Sequence, residues 1–403
     1  MVTGTGLPAD TGKPPAGWPV VRGTPAGRSV LLALAFLLLA GTVASGAEYL
    51  VYAGTYTKGA SKGIYAYRFQ TTNGKLTPLG VMAESVNPSF LIDDASHRFL
   101  YAVNEDNNGN RPGNSVSAFS MDTKTGKLTL LNQVTSRGEW PCHLALDKTG
   151  RWLAVANYGS GNMALMPVRP DGRLGEATVV ERHEGSSVNR ERQQGPHAHE
   201  VVFSPDNRFL LLADLGLDKI FVYRFDAAKG TIAPAEQPFA KVAPGAGVRH
   251  LAFHPNGKIV YAISEMGSTV TAFRYDPVKG SLADFQSVST LPQTFKGAST
   301  TAEVAVNAAG TILYGSNRGH DSLAIFSIDP EKFTLMAMDH APTLGKTPRH
   351  FALDPTGGYL LAANQDTNDI VVFRVHPTTG QLTPVVGRPV TDSPMPVCIL
   401  FVP

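Results

Sequence analysis

Two cysteines, Cys142 and Cys398, are all that the chain contains, which excludes a disulfide-stapled scaffold. Charge of one sign is also missing. Lys and Arg number 35 against 33 Asp and Glu, a net charge of +2, so no nucleic-acid footprint is visible. No segment sustains the period of an amphipathic helix. No phosphate-binding glycine loop or dinucleotide fingerprint occurs in a strand-to-helix setting. Long apolar runs are scarce too. The most apolar run, Val30 to Ala40, is shorter than the roughly 20 residues of a spanning helix.

That run follows Arg28 and leads into small residues up to Ala47, the layout of a secretory signal peptide. The reading is a leader over residues 1–47, unstructured before Arg28, with cleavage near Ala47 or Glu48. Export to the periplasm or the medium would follow, with no membrane span kept after processing. An uncleaved anchor is the alternative.

What the chain does have is glycine and proline, 40 and 29 residues, with 43% hydrophobic content. This suits a turn-rich all-β protein. From residue 48 it repeats itself. The copies are "PSFLIDDASHRFLYAVNE", "PCHLALDKTGRWLAVANY", "PHAHEVVFSPDNRFLLLADL", "VRHLAFHPNGKIVYAISE", "AEVAVNAAGTILYGSNRG" and "PRHFALDPTGGYLLAANQ". Each holds two apolar strands around a polar turn. A third strand such as "TVTAFRYD" and a fourth such as "GKLTLL" follow. One position aligns as Phe90, His143, Glu200, His250, Glu303, His350 and Cys398, at intervals of 53, 57, 50, 53, 47 and 48 residues. Four-stranded units at this period predict a β-propeller. The seventh unit has only one strand before the chain ends, and "EYLVYAGTY", "KGIYAYRFQ" and "GKLTPLGV" supply its other three. The expectation is one domain, 48–403: seven antiparallel four-stranded blades, the last closed by both termini. The cysteines fall in non-adjacent units, so no bond between them is expected.

In such a ring the starts of the inner strands, the loops after the second strands and the links between blades share one face. Residues unusual for a β core gather there. Inner-strand starts supply His143, His199, Glu200, Arg249, His250, Glu303, Arg349 and His350. Second-strand loops add Asn104, Glu105, Asn157, Asn317, Arg318, His320, Asn364 and Gln365, and the link "ERHEGSSVNRERQQG" adds Arg190 and Arg192. Buried charges need partners, so these residues form either a structural network or a site in a central funnel. In "HAHE", His197 and His199 should share a face and Glu200 the other.

His197-x-His199 could start a zinc site, but nothing fixes the remaining ligands, and no metal or other cofactor is expected. "GASKG", Gly59 to Gly63, matches a serine-nucleophile pattern that works on a strand-to-helix turn; between two propeller strands it reads as a chance match. What remains is acid–base chemistry supported by arginine. Glu200 or a histidine could activate water, and Arg249 or Arg349 could hold an anion or a developing oxyanion. The same residue types would equally suit binding of an acidic sugar.

From "YAGTYT" and "GIYAYRF" through "PCHLALD", "VANYGSG", "QGPHAHEVVFSPD", "RHLAFHPNG", "SNRGHDS" and "TPRHFALDPTG" to "PVCILFV", the chain resembles the lactonase family of seven-bladed β-propellers, whose bacterial members include 6-phosphogluconolactonase. It is also similar to the fungal carboxy-cis,cis-muconate cyclase, which makes or opens a lactone without a metal. The resemblance implies a carboxylic-ester hydrolase acting on a small lactone. Glu200, His143 and Arg249 match the cyclase's proposed catalytic positions, and Arg192 is a looser match. Substrate contacts are expected from Arg192, His199, His250, Glu303, Arg318, His320, Arg349 and His350. A monomer is expected. A muconate-type cyclase, or a non-catalytic propeller that binds an acidic sugar or a protein, is the alternative. The leader and the family pull apart on substrate, because a phosphorylated gluconolactone is a cytosolic metabolite.

Overall fold

A computed structural model describes residues 46–106, 114–385, 390–391 and 393–403. The leader proposed over 1–47 lies outside these residues except for its last two. The described chain forms seven four-stranded antiparallel sheets. Their inner strands are Leu91–Asp93, Pro141–Leu146, Ala198–Phe203, Val248–Phe253, Thr300–Val306, Pro348–Leu353 and Pro396–Val402. The last pairs with Glu48–Thr55, in register Leu50 to Val402 and Tyr52 to Leu400. Both termini therefore close one blade, as the repeat count requires.

The second strands carry the deepest apolar runs. "FLLLAD", Phe209–Asp214, is buried at every position. Such strands face a neighbouring blade on each side, so they read as continuous apolar runs rather than alternating ones. The core divides into seven clusters, each shared by two neighbouring blades; Leu50, Tyr52 and Ile64 pack with Leu100, Ala102 and Phe119 of the next blade. A repeated latch crosses these interfaces. The buried hydroxyls of Tyr52, Tyr101 and Tyr314 donate to the carbonyls of Gly126, Gly172 and Gly380 in the next blade's outer turn. The turn after each inner strand is fixed by its own polar residue: the Asp147 carboxylate accepts from the Thr149, Arg151 and Trp152 amides.

The four second-strand asparagines serve the fold as well. Asn104, Asn157, Asn317 and Asn364 are buried, and their Nδ2 groups donate to the carbonyls of Val86, Ser136, Thr290 and Thr343 in the links between blades. Cys142 and Cys398 are buried and free. Among the described residues no helix is long and apolar enough to cross a membrane.

Candidate active site

The entry to the inner strands departs from plain alternation. The backbone register slips where these strands begin, leaving Cys142, His199, Arg249, Arg349 and Val397 as extra residues. In a sixth blade Ala302 and Glu303 together face one partner position. A β-bulge bends the strand and re-aims side chains. Here it lets two consecutive residues face the central channel. This corrects the expected geometry of "HAHE". His199 lies 5.1 Å from His250, ring to ring, and Glu200 Oε1 lies 3.5 Å from His143 Nε2, so both point inward. His197 precedes the strand. It stacks on Tyr158 at 4.5 Å and donates from Nδ1 to the Tyr158 carbonyl.

The bulge separates the channel into two tiers. The extra residues His199, Cys142 and Arg349 reach an open cavity of about 400 Å³, also lined by Tyr56, Lys58, Asn87, Glu105, Trp140, Tyr158, Arg192, Glu265 and Arg318. The following residues, His143, Glu200, His250, Glu303 and His350, form a deeper layer and do not line this cavity. A small space joins the tiers, lined among others by His199, Arg249, His250 and His350.

Glu265 is the hub of the upper tier. Arg192 and Arg318 each approach it at 2.8 Å, and Arg249 at 3.2 Å. Burial acts to raise its pKa, but Arg318, Arg249 and Arg192 outweigh it and bring the carboxyl down to about 2. Arg249 also donates to the Ala302 carbonyl at 2.6 Å. Burial and the like charges of Arg318 and Arg349 pull its pKa down to about 10, so it stays charged at neutral pH. Glu105 accepts from Tyr56 and Ser89 hydroxyls. Arg349 differs from the other arginines. Its guanidinium lies over the Tyr56 ring at 5.2 Å, and among the described residues it makes no hydrogen bond or ion pair.

The lower tier is imidazole and carboxylate. Glu303 faces His250 Nδ1 at 3.0 Å and His350 Nε2 at 3.4 Å. The Ile399 amide donates to His350 Nδ1, which leaves the His350 proton on Nε2, toward Glu303. His250 then presents its other nitrogen to Arg249 Nη1 at 3.3 Å. Burial holds the pKa of His143, His199 and His250 well below the usual imidazole value, and Arg249 adds to the effect. His350 falls to about 4, chiefly by burial. Burial, with the Glu303 charge, pushes Glu200 well above the carboxylate range, although the Leu251 amide donates to it.

Most residues expected at the site do meet in this channel. His320 does not. It bonds Ser322 and packs on Phe295 at 4.7 Å, outside the cavity lining. Gln365 and Arg190 lie outside it too; Gln365 donates to Asp366, and Arg190 is exposed. Sequence reasoning missed Glu265, Tyr56, Tyr158 and Trp140. Glu265 was detectable, because "YAISE" ends where "YAVNE" places Glu105.

The family model described as lactonase, 7-bladed beta-propeller, matches residues 50–401. A Bacillus subtilis protein named 6-phosphogluconolactonase is 35% identical over 341 residues, 84% of this chain and 94% of the relative. A second protein of that name, from Formosa agariphila, is 34% identical, over 79% of this chain and 90% of its own. Among solved structures, the Pseudomonas aeruginosa periplasmic gluconolactonase superposes with a TM-score of 0.82 at 34% identity, covering 89% of this chain and 99% of that one. The chain belongs to the lactonase family of seven-bladed β-propellers.

Proposed function

We propose that the protein hydrolyses a sugar lactone to its aldonic acid at the mouth of the channel, by acid–base chemistry without a metal. The observation that carries this reading is the cavity's charge. Lys58, Arg192, Arg318 and Arg349 face Glu105 and Glu265, an excess of cations that suits an oxyanion and an aldonate product. Arg349, unpaired, is the group that takes the developing charge, with Arg249 behind it. His199 is neutral and lines the cavity; its Nδ1 is buried and unpartnered, so the nitrogen left to meet a water is Nε2. It accepts the proton of the attacking water. Glu200, the base expected from the resemblance, stands below the cavity. There its raised pKa favours the protonated form, so with His143 it acts as a proton reservoir under His199. The cations beside these histidines repel a metal ion, which supports the metal-free reading.

The names of the relatives point to lactones of gluconic acid, and the excess positive charge supports a substrate with an anionic group. Export supports an unphosphorylated aldonolactone instead. We place the mature chain at 48–403, a monomer outside the cytoplasm. The first described strand, Glu48–Thr55, begins where the leader would end, and a periplasmic gluconolactonase is among the similar structures. N-terminal sequencing of protein from the native cell checks the processing; a retained Val30 to Ala40 refutes it. Purified protein is given 6-phosphogluconolactone and gluconolactone in a pH-stat. Acid release above the spontaneous rate, unaffected by chelator, is expected. Release at the spontaneous rate for both overturns the activity, and loss of activity on chelation overturns the metal-free mechanism.

A further inference from the structure

Trp140 is out of place by ordinary criteria. It is 37% exposed, and it lines the cavity. Its backbone is left-handed, with φ at 55°, a region that is costly for a bulky residue. Left-handed residues recur three positions before the aligned channel residue, at Asn87, Gly247, Thr347 and Met395. Five of the seven inner strands are entered through this backbone. Asn and Gly adopt it at little strain. Trp140, Thr347 and Met395 do not; of these Trp140 alone lines the cavity, so its side chain calls for another reason.

Its surroundings supply one. The indole is parallel to the Tyr158 ring, 6° between planes at 6.2 Å, and Tyr158 stacks in turn on His197. The backbone is pinned at both ends: Trp140 N donates to Asn114 Oδ1, and Tyr158 N donates to the Trp140 carbonyl. Gly159 makes room for the ring. Its φ is not left-handed, so conformation does not demand glycine there. A Cβ at 159 would stand 3.1 Å from Trp140 Cδ2 and 3.0 Å from Glu139 Cβ. A pinned, seated and half-exposed aromatic beside an otherwise charged cavity has the chemistry of a carbohydrate platform. A sugar ring with equatorial hydroxyls presents a face of axial C–H bonds. That face leaves water against an aromatic ring while its hydroxyls stay solvated.

We infer that Trp140, braced by Tyr158 and seated on Gly159, is the platform that receives the C–H face of a sugar-derived substrate, while the arginines take its anionic end. The inference rests on the proposed lactonase reading for the substrate class. It requires only that the cavity bind a sugar acid, with or without turnover.

The test is binding as well as rate. D-glucuronate, a pyranose with equatorial hydroxyls and a carboxylate, and inorganic phosphate are titrated calorimetrically into the mature protein and into Trp140→Gly, Trp140→Phe and Gly159→Ala. Trp140→Gly removes the ring and relieves the backbone, so the melting temperature should hold or rise. Glucuronate binding should weaken about tenfold, the size of one aromatic contact. Phosphate, which needs only the arginines, should bind as before. Trp140→Phe should restore most of the glucuronate affinity, and Gly159→Ala should lose part of it. For hydrolysis of gluconolactone the loss should fall on KM more than on kcat. The inference is overturned if the parent does not bind glucuronate, or if Trp140→Gly binds it as well as the parent. It is also overturned if melting temperature and phosphate affinity fall together with glucuronate affinity, since Trp140 is then only a brace. A parent that binds glucuronate through Trp140 but hydrolyses no lactone keeps the platform and refutes the activity.

Discussion

Glu265 and Glu200 stand on neighbouring tiers of one channel and are driven to opposite states. Both are buried, with 8% of each side chain exposed. Three arginines surround Glu265 and keep it ionised. Glu200 has His143 and a backbone amide for company, and the Glu303 charge nearby. Burial alone therefore does not decide protonation. The sign of the nearest charges does. The upper tier is an ionic device that stays charged to hold an anion. The lower tier is a nearly neutral one that can lend or store a proton.

The two tiers share a support, the strand Pro396–Val402. Its Val397 lines the space between them and its Ile399 amide fixes His350. Deleting residues 396–403 strips the inner strand from the blade that closes the ring. It also removes the buried Val397, Cys398, Ile399 and Val402. The expected outcome is no cooperative unfolding transition at the parent's temperature. A truncated protein with the parent's melting temperature refutes the shared blade.

The next effect separates the tiers by rate. His199→Gln keeps the shape of the cavity-facing group and removes its basicity. It should lower the catalysed rate by about 100- to 10,000-fold, the range for a general base. Glu200→Gln, a neutral substitute for a group held protonated, should reduce the rate by less. If Glu200→Gln shows the larger loss, the lower tier holds the base and the roles proposed here are reversed.

Stability should split the other way. Glu265 is ionised in the folded state with a pKa near 2. The stability it supplies is present above the unfolded carboxyl pKa and is lost as pH falls through about 2. The difference amounts to about 3 kcal/mol at pH 7, so Glu265→Gln should lower the unfolding free energy by about that much. Glu200→Gln should change it by less than about 1 kcal/mol, because a neutral group replaces a neutral one. Urea titrations at pH 7 check both. Equal losses would show that the tiers are not electrically distinct.

These contrasts also show what could be read from the sequence. The seven blades and the closure were legible because each repeat carries its own apolar strands and turn residues, and counting sufficed. The identity of most channel residues was legible for the same reason: a recurring position must point at the axis. Depth was not. A period-two reading sends His199 and Glu200 to opposite faces, and only the one-residue bulge turns both inward. Nor was it visible that Asn104 and its counterparts tie the links between blades, whereas Glu105, one residue on, faces the cavity. Tyr56, Tyr158 and Trp140 were missed because isolated aromatics in loops carry no periodic signal.

Acidification should act through the buried imidazoles before it reaches the ionic hub at Glu265. His350 is neutral in the fold, with a pKa near 4, against about 6.5 unfolded. Above that value both states are neutral and nothing is lost. Between the two values the unfolded chain binds the proton first, so stability falls as pH drops. For His350 alone the loss is about 2 kcal/mol by pH 5, well before Glu265 titrates. His350→Gln should make the stability profile between pH 7 and 5 shallower by about that amount, the rest of the slope coming from His143, His199 and His250, which burial also keeps neutral. An unchanged profile would place the acid-sensitive group elsewhere.

The smallest effect marks the edge of the upper tier. Arg192 and Arg249 both contact Glu265, yet 41% of the Arg192 side chain is exposed against 3% for Arg249. Water screens the outer pair, so Arg192→Ala should change stability by under about 1 kcal/mol. Arg249→Ala strips the inner pair and should cost about 3 kcal/mol or more, because Glu265 keeps its charge in a buried place. In turnover, Arg192 hydrogen-bonds the Tyr158 hydroxyl at 3.0 Å and faces the cavity mouth. It meets bound substrate and transition state alike, so its loss should raise KM and leave kcat nearly intact. A fall in kcat equal to that of Arg249→Ala would carry the reacting centre outward to the rim, and the division into a gripping tier and a proton-handling tier would no longer hold.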